Sequence, residues 1–311
     1  MSKKKTNNDR KKYKKMPVED RVQLVESLYI HFPRNDKALK AIREHHAHAK
    51  FASEPEGLLI QGETGAGKTT ILKLYMKDYP RTDTQETTSV PVLYARVPAP
   101  ATCKQLVTKI LGAIGDPAAD KGTQISQTLR LKKYLEVCSV ELLILDEFQH
   151  FQDRDSLKVL KTVSDWLKLL MEETGIPIVL AGLPYSHTIL DADGNEQLRR
   201  RFATRIDLEP FGYETSQERQ DFRRFLNVID DKLPLAEKSN LADPATALCV
   251  YEATDGVVAH VMKLVRRATV IALESNREKL TTEILAMAYE QRLAANNPAK
   301  ANPFGDIALA A

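Results

Sequence analysis

Five short apolar runs alternate with helical stretches between residues 57 and 211, and this alternation limits the fold more than any other feature. The runs are GLLIQG at 57–62, VPVLYARV at 90–97, ELLILDEF at 141–148, IPIVLAG at 176–182 and RIDLEPF at 205–211. Helical patterns fill about 67–79, 102–114, 123–138 and 156–174 between them, the last with Trp166 on its apolar side. Continuous apolar runs belong to strands buried on both faces, and strands separated by helices are parallel. The chain is therefore predicted to be α/β, with a five-stranded parallel sheet covered on both sides.

The flanks read differently. Pro17 begins an amphipathic pattern in which Val18, Val22, Val25, Leu28 and Tyr29 share a face, and a second helix is expected from Asn35, a candidate N-cap, with Leu39 and Ile42 inward. After residue 212 the strand signal stops. Thr215 and Glu218 make a capping box for a helix to about Ile229, Pro244 opens another, Gly256 precedes a third, and Thr281 with Thr282 starts the last. The expected organisation is a basic flexible arm (1–16), a helical N-terminal segment (17–52), an α/β core (53–212), a small all-helical domain (213–293) and a flexible tail (294–311) that holds Asn-Pro twice.

Composition excludes several classes. A chain of 311 residues with 43% hydrophobic content is not disordered throughout. No run approaches the ~18 apolar residues of a membrane span, and the lysine-rich start lacks the apolar stretch of a secretory signal. Cys103, Cys138 and Cys249 lie far apart, which fits a reducing cytoplasm and neither zinc nor a disulfide framework. The net charge of +3 hides an asymmetry: residues 1–15 carry eight basic side chains and one acid, so the remainder is net acidic by four. Such an arm is either a solubilising tail or a nucleic-acid contact.

The most specific motif is Gly62-Glu63-Thr64-Gly65-Ala66-Gly67-Lys68-Thr69, followed by Thr70. It matches the Walker A pattern and sits between an apolar strand and a helix, as that pattern requires. Its glycines let backbone N–H groups face inward as an anion nest, and the helix start adds its positive dipole end. Lys68 would reach the β- and γ-phosphates of ATP, and the Thr69 hydroxyl would ligate Mg²⁺. The run LLILDE at 142–147 then delivers Asp146 to the sheet's carboxyl edge, where it would hold the Mg²⁺ shell, and Glu147 would act as general base. Arg199, Arg200 and Arg201 precede the fifth strand. An arginine there could reach the nucleotide of a neighbouring subunit, with Arg201 first, Arg200 second and Arg205 an outside choice; a solvated basic face and DNA contact are the other readings.

Sheet, Walker A, Asp-Glu pair, arginines before the last strand and a helical lid together resemble a P-loop NTPase of the AAA+ class. The segments GETGAGKTT (62–70), LLILDEFQH (142–150), VLAGLP (179–184), NEQLRRRF (195–202) and TDG (254–256) more narrowly resemble the TniB/TnsC family, regulators of Tn-seven-like and CRISPR-associated transposons. The resemblance covers about residues 20–290. It implies an ATPase that binds double-stranded DNA, assembles with itself as a ring or helical filament, and links a TniQ-like target selector to a transposase. It also implies a DNA-contacting insertion near 100–138, where Lys104 and Thr123 match the family's DNA-tracking positions and Lys121 assists. Thr123 is at a helix start, which suits a phosphate but equally suits simple capping.

Two departures from the AAA+ pattern point to slow, regulatory hydrolysis. Ala259 stands where the lid usually offers an arginine, with Lys263 and Arg266 further on, and the fourth strand ends Ala-Gly-Leu-Pro without a polar side chain. A helicase loader or origin-type initiator, and a nucleotide-gated scaffold with little turnover, are the alternatives. His45, His46 and His48 lack ligands at metal spacing and read as a solvated helix face. Asp191-Ala192-Asp193-Gly194 reads as a surface turn rather than a calcium loop.

Overall fold

A computed structural model describes residues 10–52, 54–99, 101–151, 157–191, 196–296 and 300–305. The chain begins with a 3-10 turn (Lys11–Lys15), α1 (Val18–Glu26), α2 (Pro33–His48), β1 (Gly57–Gln61) and α3 (Lys68–Met76). It continues through β2 (Thr82–Asp83), β3 (Thr88–Ser89), β4 (Val92–Arg96), α4 (Cys103–Ile114), α5 (Gln124–Val137) and β5 (Leu142–Asp146). Then come α6 (Leu157–Thr174), β6 (Ile178–Gly182), α7 (His187–Asp191), α8 (Glu196–Arg201) and β7 (Thr204–Asp207). Four helices follow, α9 (Ser216–Lys232), α10 (Pro244–Thr254), α11 (Val258–Glu274) and α12 (Thr282–Arg292). The contacts define two compact units, one spanning Pro33–Glu209 and one joining the chain up to Phe32 with the chain from Pro210 onward.

The Pro33–Glu209 unit is the expected α/β structure. Its sheet has the order β4-β5-β6-β1-β7, and each neighbouring pair is parallel. Successive side chains of a strand point to opposite faces, so a doubly covered strand feeds two cores. Strand β1 does this: Leu58 and Ile60 join Leu39, Ile42, Ile71 and Leu72 of α2 and α3, whereas Leu59 joins Leu106, Ile110, Leu131 and Leu167 of α4, α5 and α6. Burying a leucine in this way stabilises the fold by about 2 kcal/mol. Trp166 packs in the second of these cores and donates its indole N–H to the Thr128 hydroxyl at 3.2 Å. The β2–β3 hairpin was not expected; its strands are two residues each, too short for any periodicity.

The second unit is helical, with α1 packed against α11. Thr215 and Glu218 form the expected capping box at α9, and Thr281 caps α12. Phe222, Leu226, Leu264 and Leu285 lie in its core.

Four expectations need correction. The N-terminal segment 17–52 is not one piece, because α1 belongs to the helical unit and α2 to the α/β unit. Helix α2 starts at Pro33, a residue suited to a first turn, so Asn35 is inside the helix and does not cap it. The basic arm, expected flexible over 1–16, is docked from Arg10 onward; residues 1–9 lie outside the described residues. Arg10 is 1% exposed, donates to the carbonyls of Asp230 and Glu237, and lies 3.8 Å from the Asp230 and Asp231 carboxylates. A buried carboxylate needs a counter-charge, and Arg10 supplies it. In the tail, residues 297–299 and 306–311 lie outside the described residues, but Phe304 is buried in the helical core and Lys300 pairs with Asp255 at 2.8 Å. Of the three histidines His46 also departs from expectation: it is buried, with its ring nitrogens 2.8 Å from the Tyr75 hydroxyl and 3.1 Å from Glu141 Oε2, while His48 is exposed.

Candidate functional site

The phosphate loop joins β1 to α3 at the carboxyl edge of the sheet. A Cβ on Gly62 would lie 2.5 Å from the Leu208 carbonyl oxygen, so the strand can turn here only without a side chain. Gly67 is the N-cap of α3 at φ +99°, a conformation glycine adopts without strain. Glu63, Thr64 and Thr70 are exposed, while Gly65 and Ala66 form the turn between them. Lys68, 9% exposed, donates to the Gly62 carbonyl at 2.5 Å and the Glu63 carbonyl at 3.1 Å. Burial pulls its ammonium pKa below the ordinary value, and the negative charges of Glu147, Asp146 and Glu63 oppose that shift.

Strand β5 ends on Asp146, 1% exposed, next to this loop. Oδ2 of Asp146 accepts from the Thr69 hydroxyl at 2.7 Å and the Tyr94 hydroxyl at 2.9 Å, and Oδ1 accepts from the Glu147 amide at 2.9 Å. Burial, then the Asp146 charge, pushes the Tyr94 phenol pKa up, so it stays a neutral donor. Thr69 and Asp146 together offer the hard oxygen ligands that suit Mg²⁺, already within hydrogen-bond distance of one another.

Glu147 adopts φ +60°, a left-handed conformation that a non-glycine residue holds only where its surroundings impose it. Its carboxylate is gripped on both oxygens, by Arg96 at 2.7 Å and by the Gln149 amide at 2.5 Å. Burial pushes the Glu147 carboxyl pKa up, but the Arg96 and Gln149 hydrogen bonds outweigh it and hold the group below the usual range. Gln149 in turn accepts from the Leu183 amide at 3.2 Å, just past β6. A polar side chain therefore does stand beside the end of β6, supplied by the turn after β5. Tyr94, Arg96 and Gln149 were not singled out from the sequence. The signal was available for two of them: in a run of apolar residues, Tyr94 and Arg96 are polar, two apart, and so on one face of β4.

The arginines separate clearly. Arg201, the first choice for a neighbour's nucleotide, has an 11% exposed side chain that donates to the Pro55 carbonyl at 3.2 Å and to Glu172 at 3.0 Å. Arg205 makes a two-pronged pair with Asp191 at 2.6 and 2.8 Å. Both are held within their own chain. Arg200 is exposed and forms no hydrogen bond or ion pair among the described residues. Of the turn at 191–194, only Asp191 lies among the described residues. In the helical unit Ala259 and Lys263 are exposed, and Arg266 donates to the Leu28 carbonyl at 3.1 Å.

Lys104, Lys121 and Thr123 gather at another place. The Gln124 amide reaches the Cys103 sulfur at 3.2 Å, so the starts of α4 and α5 lie side by side. Thr102 caps α4 and Thr123 caps α5, each accepting a backbone N–H at 3.2 Å. Lys104 stands exposed one residue into α4, and Lys121 precedes the α5 cap with its ammonium 3.4 Å from Asp120. Among the described residues no cluster of His, Cys, Asp and Glu suits a metal, and no helix is long and apolar enough to cross a membrane.

Comparison with solved structures places the fold. The Aeropyrum pernix ORC2 protein in its ADPNP-ADP complexes matches with a TM-score of 0.62 at 16% identity, over 90% of this chain and 72% of that one. The Aeropyrum pernix ORC1 protein in complex with DNA matches at 0.60 and 17%, over 87% and 69%. Cdc6p from Pyrobaculum aerophilum matches at 0.62 and 15%, over 87% and 71%. At such identities the likeness shows the fold, that of a P-loop ATPase. Among curated proteins none matches the sequence. The family model described as bacterial TniB protein, however, matches residues 21–212, from α1 through the phosphate loop, the Asp146-Glu147 pair and the whole sheet, and on that match the chain belongs to the TniB family.

Proposed function

We propose that this TniB-family chain is an ATP-dependent, DNA-binding regulator of transposition that assembles on duplex DNA and links a TniQ-like selector to a transposase. The observation that carries the ATPase part is the convergence of Lys68, Thr69, Asp146 and Glu147 at one sheet edge, with Thr69 on Asp146 at 2.7 Å. Lys68 would bind the β- and γ-phosphates, giving up its bonds to the Gly62 and Glu63 carbonyls. Thr69 and Asp146 would hold Mg²⁺, which when bound neutralises phosphate charge. Glu147 would take the proton of the attacking water once Arg96 releases it. Arg200, exposed like Arg199 and, unlike Arg201 and Arg205, without a hydrogen bond or ion pair among the described residues, would reach the nucleotide of the next subunit in place of Arg201. The paired helix starts with Lys104, Lys121 and Thr123 would lie along DNA phosphates.

Two observations favour narrower alternatives. The fold likeness to ORC and Cdc6 proteins over most of the chain fits an origin-type initiator or loader. The grip of Arg96 and Gln149 on Glu147 fits a scaffold that turns over slowly.

One experiment separates these readings. Wild type and Glu147→Gln are incubated with ATP, Mg²⁺ and duplex DNA, and assemblies are followed by sedimentation and electron microscopy beside phosphate release. Glu147→Gln should lower turnover on the order of a thousandfold and lengthen the life of the assemblies. Unchanged phosphate release and lifetime would leave the scaffold. Capture of a replicative helicase, rather than a transposase or TniQ-like protein, would favour the loader.

A further inference from the structure

Strand β4 places a different kind of donor on each of the two acids at the end of β5. Tyr94 reaches Asp146 with a neutral hydroxyl at 2.9 Å, and Arg96, two residues on, reaches Glu147 with a full positive charge at 2.7 Å. The parallel register pairs Tyr94 with Ile144 and Arg96 with Asp146, so the two side chains lie on the same face of the strand beside the acids.

We propose that Tyr94 is the positioning residue of the metal site: its hydroxyl fixes the Asp146 carboxylate for a divalent cation without cancelling its charge. The proposal rests on the reading of Thr69 and Asp146 as the Mg²⁺ ligands of a nucleotide site. Asp146 is almost fully buried, and buried polar oxygens need hydrogen-bond donors. Three are present, from Thr69, Tyr94 and the Glu147 amide. Thr69 has a second duty, since its oxygen must also face the metal. The Glu147 amide belongs to a residue whose carboxylate, as general base, would have to leave Arg96. Among the described residues the Tyr94 hydroxyl has no other hydrogen bond, and the residue is anchored on a sheet strand, so it is the donor that can hold the carboxylate throughout. A lysine or arginine in its place would hold Asp146 equally well but would oppose the cation.

The test is Tyr94→Phe, which removes one oxygen and keeps the ring. A fluorescent ATP analogue is titrated against wild type and variant, first with EDTA and then across a Mg²⁺ series. The metal-free affinity should stay within about twofold, while the Mg²⁺ concentration giving half of the metal-dependent gain should rise about tenfold. Metal-free melting temperatures confirm that both proteins fold alike. An unchanged Mg²⁺ midpoint overturns the proposal and leaves the nucleotide site standing. An equal loss with and without Mg²⁺ also overturns it, showing that Tyr94 only packs. Failure of the wild type to bind the analogue under either condition overturns the nucleotide-site reading itself, and this proposal with it.

Discussion

The phosphate-loop edge and the paired starts of α4 and α5 hold their charges in opposite ways. At the first, Lys68 and Asp146 are buried and their charged atoms have named partners within about 3 Å. At the second, Lys104 and Lys121 stand in solvent; Lys121 has a side chain 76% exposed and among the described residues its ammonium pairs with Asp120 alone. A preorganised, water-poor site makes each residue's contribution large and specific. Exposed lysines act as screened point charges, whose individual contributions are small and add up. Single substitutions should therefore divide sharply between the two regions.

The largest effect is expected at Lys68. Replacing it by alanine removes the only side-chain cation the loop offers to phosphate and takes the ammonium donor from the Gly62 and Glu63 carbonyls, the latter keeping the Ala66 amide at 3.1 Å. Turnover should fall by about a hundred- to a thousandfold, and nucleotide-dependent assembly should disappear in sedimentation. A loss of similar size from Lys104→Ala alone would break the contrast between the regions.

Arg96→Ala is expected to have an intermediate effect, with a sign that depends on pH. Arg96 lowers the Glu147 pKa, so the carboxylate persists as pH falls below the ordinary glutamate range. The stability this pair contributes is present above the unfolded-state pKa and is lost as pH falls through the lower folded-state value. Removing Arg96 should move the acid limb of the pH–rate profile to higher pH. Near neutrality it should raise the basal rate, by about fivefold at most, because an exposed pair of this kind is worth no more than about 1 kcal/mol. A basal rate that falls would show that Arg96 helps turnover directly rather than holding Glu147 back.

Much of the fold was legible because its signals are local. The five apolar runs coincide with the five sheet strands to within four residues at their ends, and Thr215 and Thr281 cap helices where the sequence placed them. What could not be read depends on residues far apart in the chain. Lys11, Lys12, Lys14 and Lys15 are exposed as their sequence suggests, but Arg10 looks solvated too unless Asp230, 220 residues away, is known to sit against it. The polar group beside β6 comes from Gln149, in a different strand's loop, so the strand's own Ala-Gly-Leu-Pro ending gave no hint of it. Arg201 ranked first among the arginines from its position alone, and only Glu172 and Pro55 reveal that it is already engaged.

The smallest effects belong to the exposed region, where the useful measurement is a slope rather than a single affinity. If Lys104 and Lys121 each neutralise one phosphate, each alanine substitution should reduce the slope of log affinity against log salt by about 0.9, with only a few-fold change in affinity at any one salt. Thr123→Ala tests a different term. Its hydroxyl caps α5, so the variant should lose about 1 kcal/mol of stability whether or not DNA is bound. A phosphate contact would add a loss of affinity with little change in slope, because the hydroxyl is neutral. Filter-binding titrations at three or more salt concentrations separate these outcomes. If the Lys104 and Lys121 variants leave the slope unchanged, the paired helix starts are not the DNA face, and the charge that attracts DNA lies elsewhere on the chain.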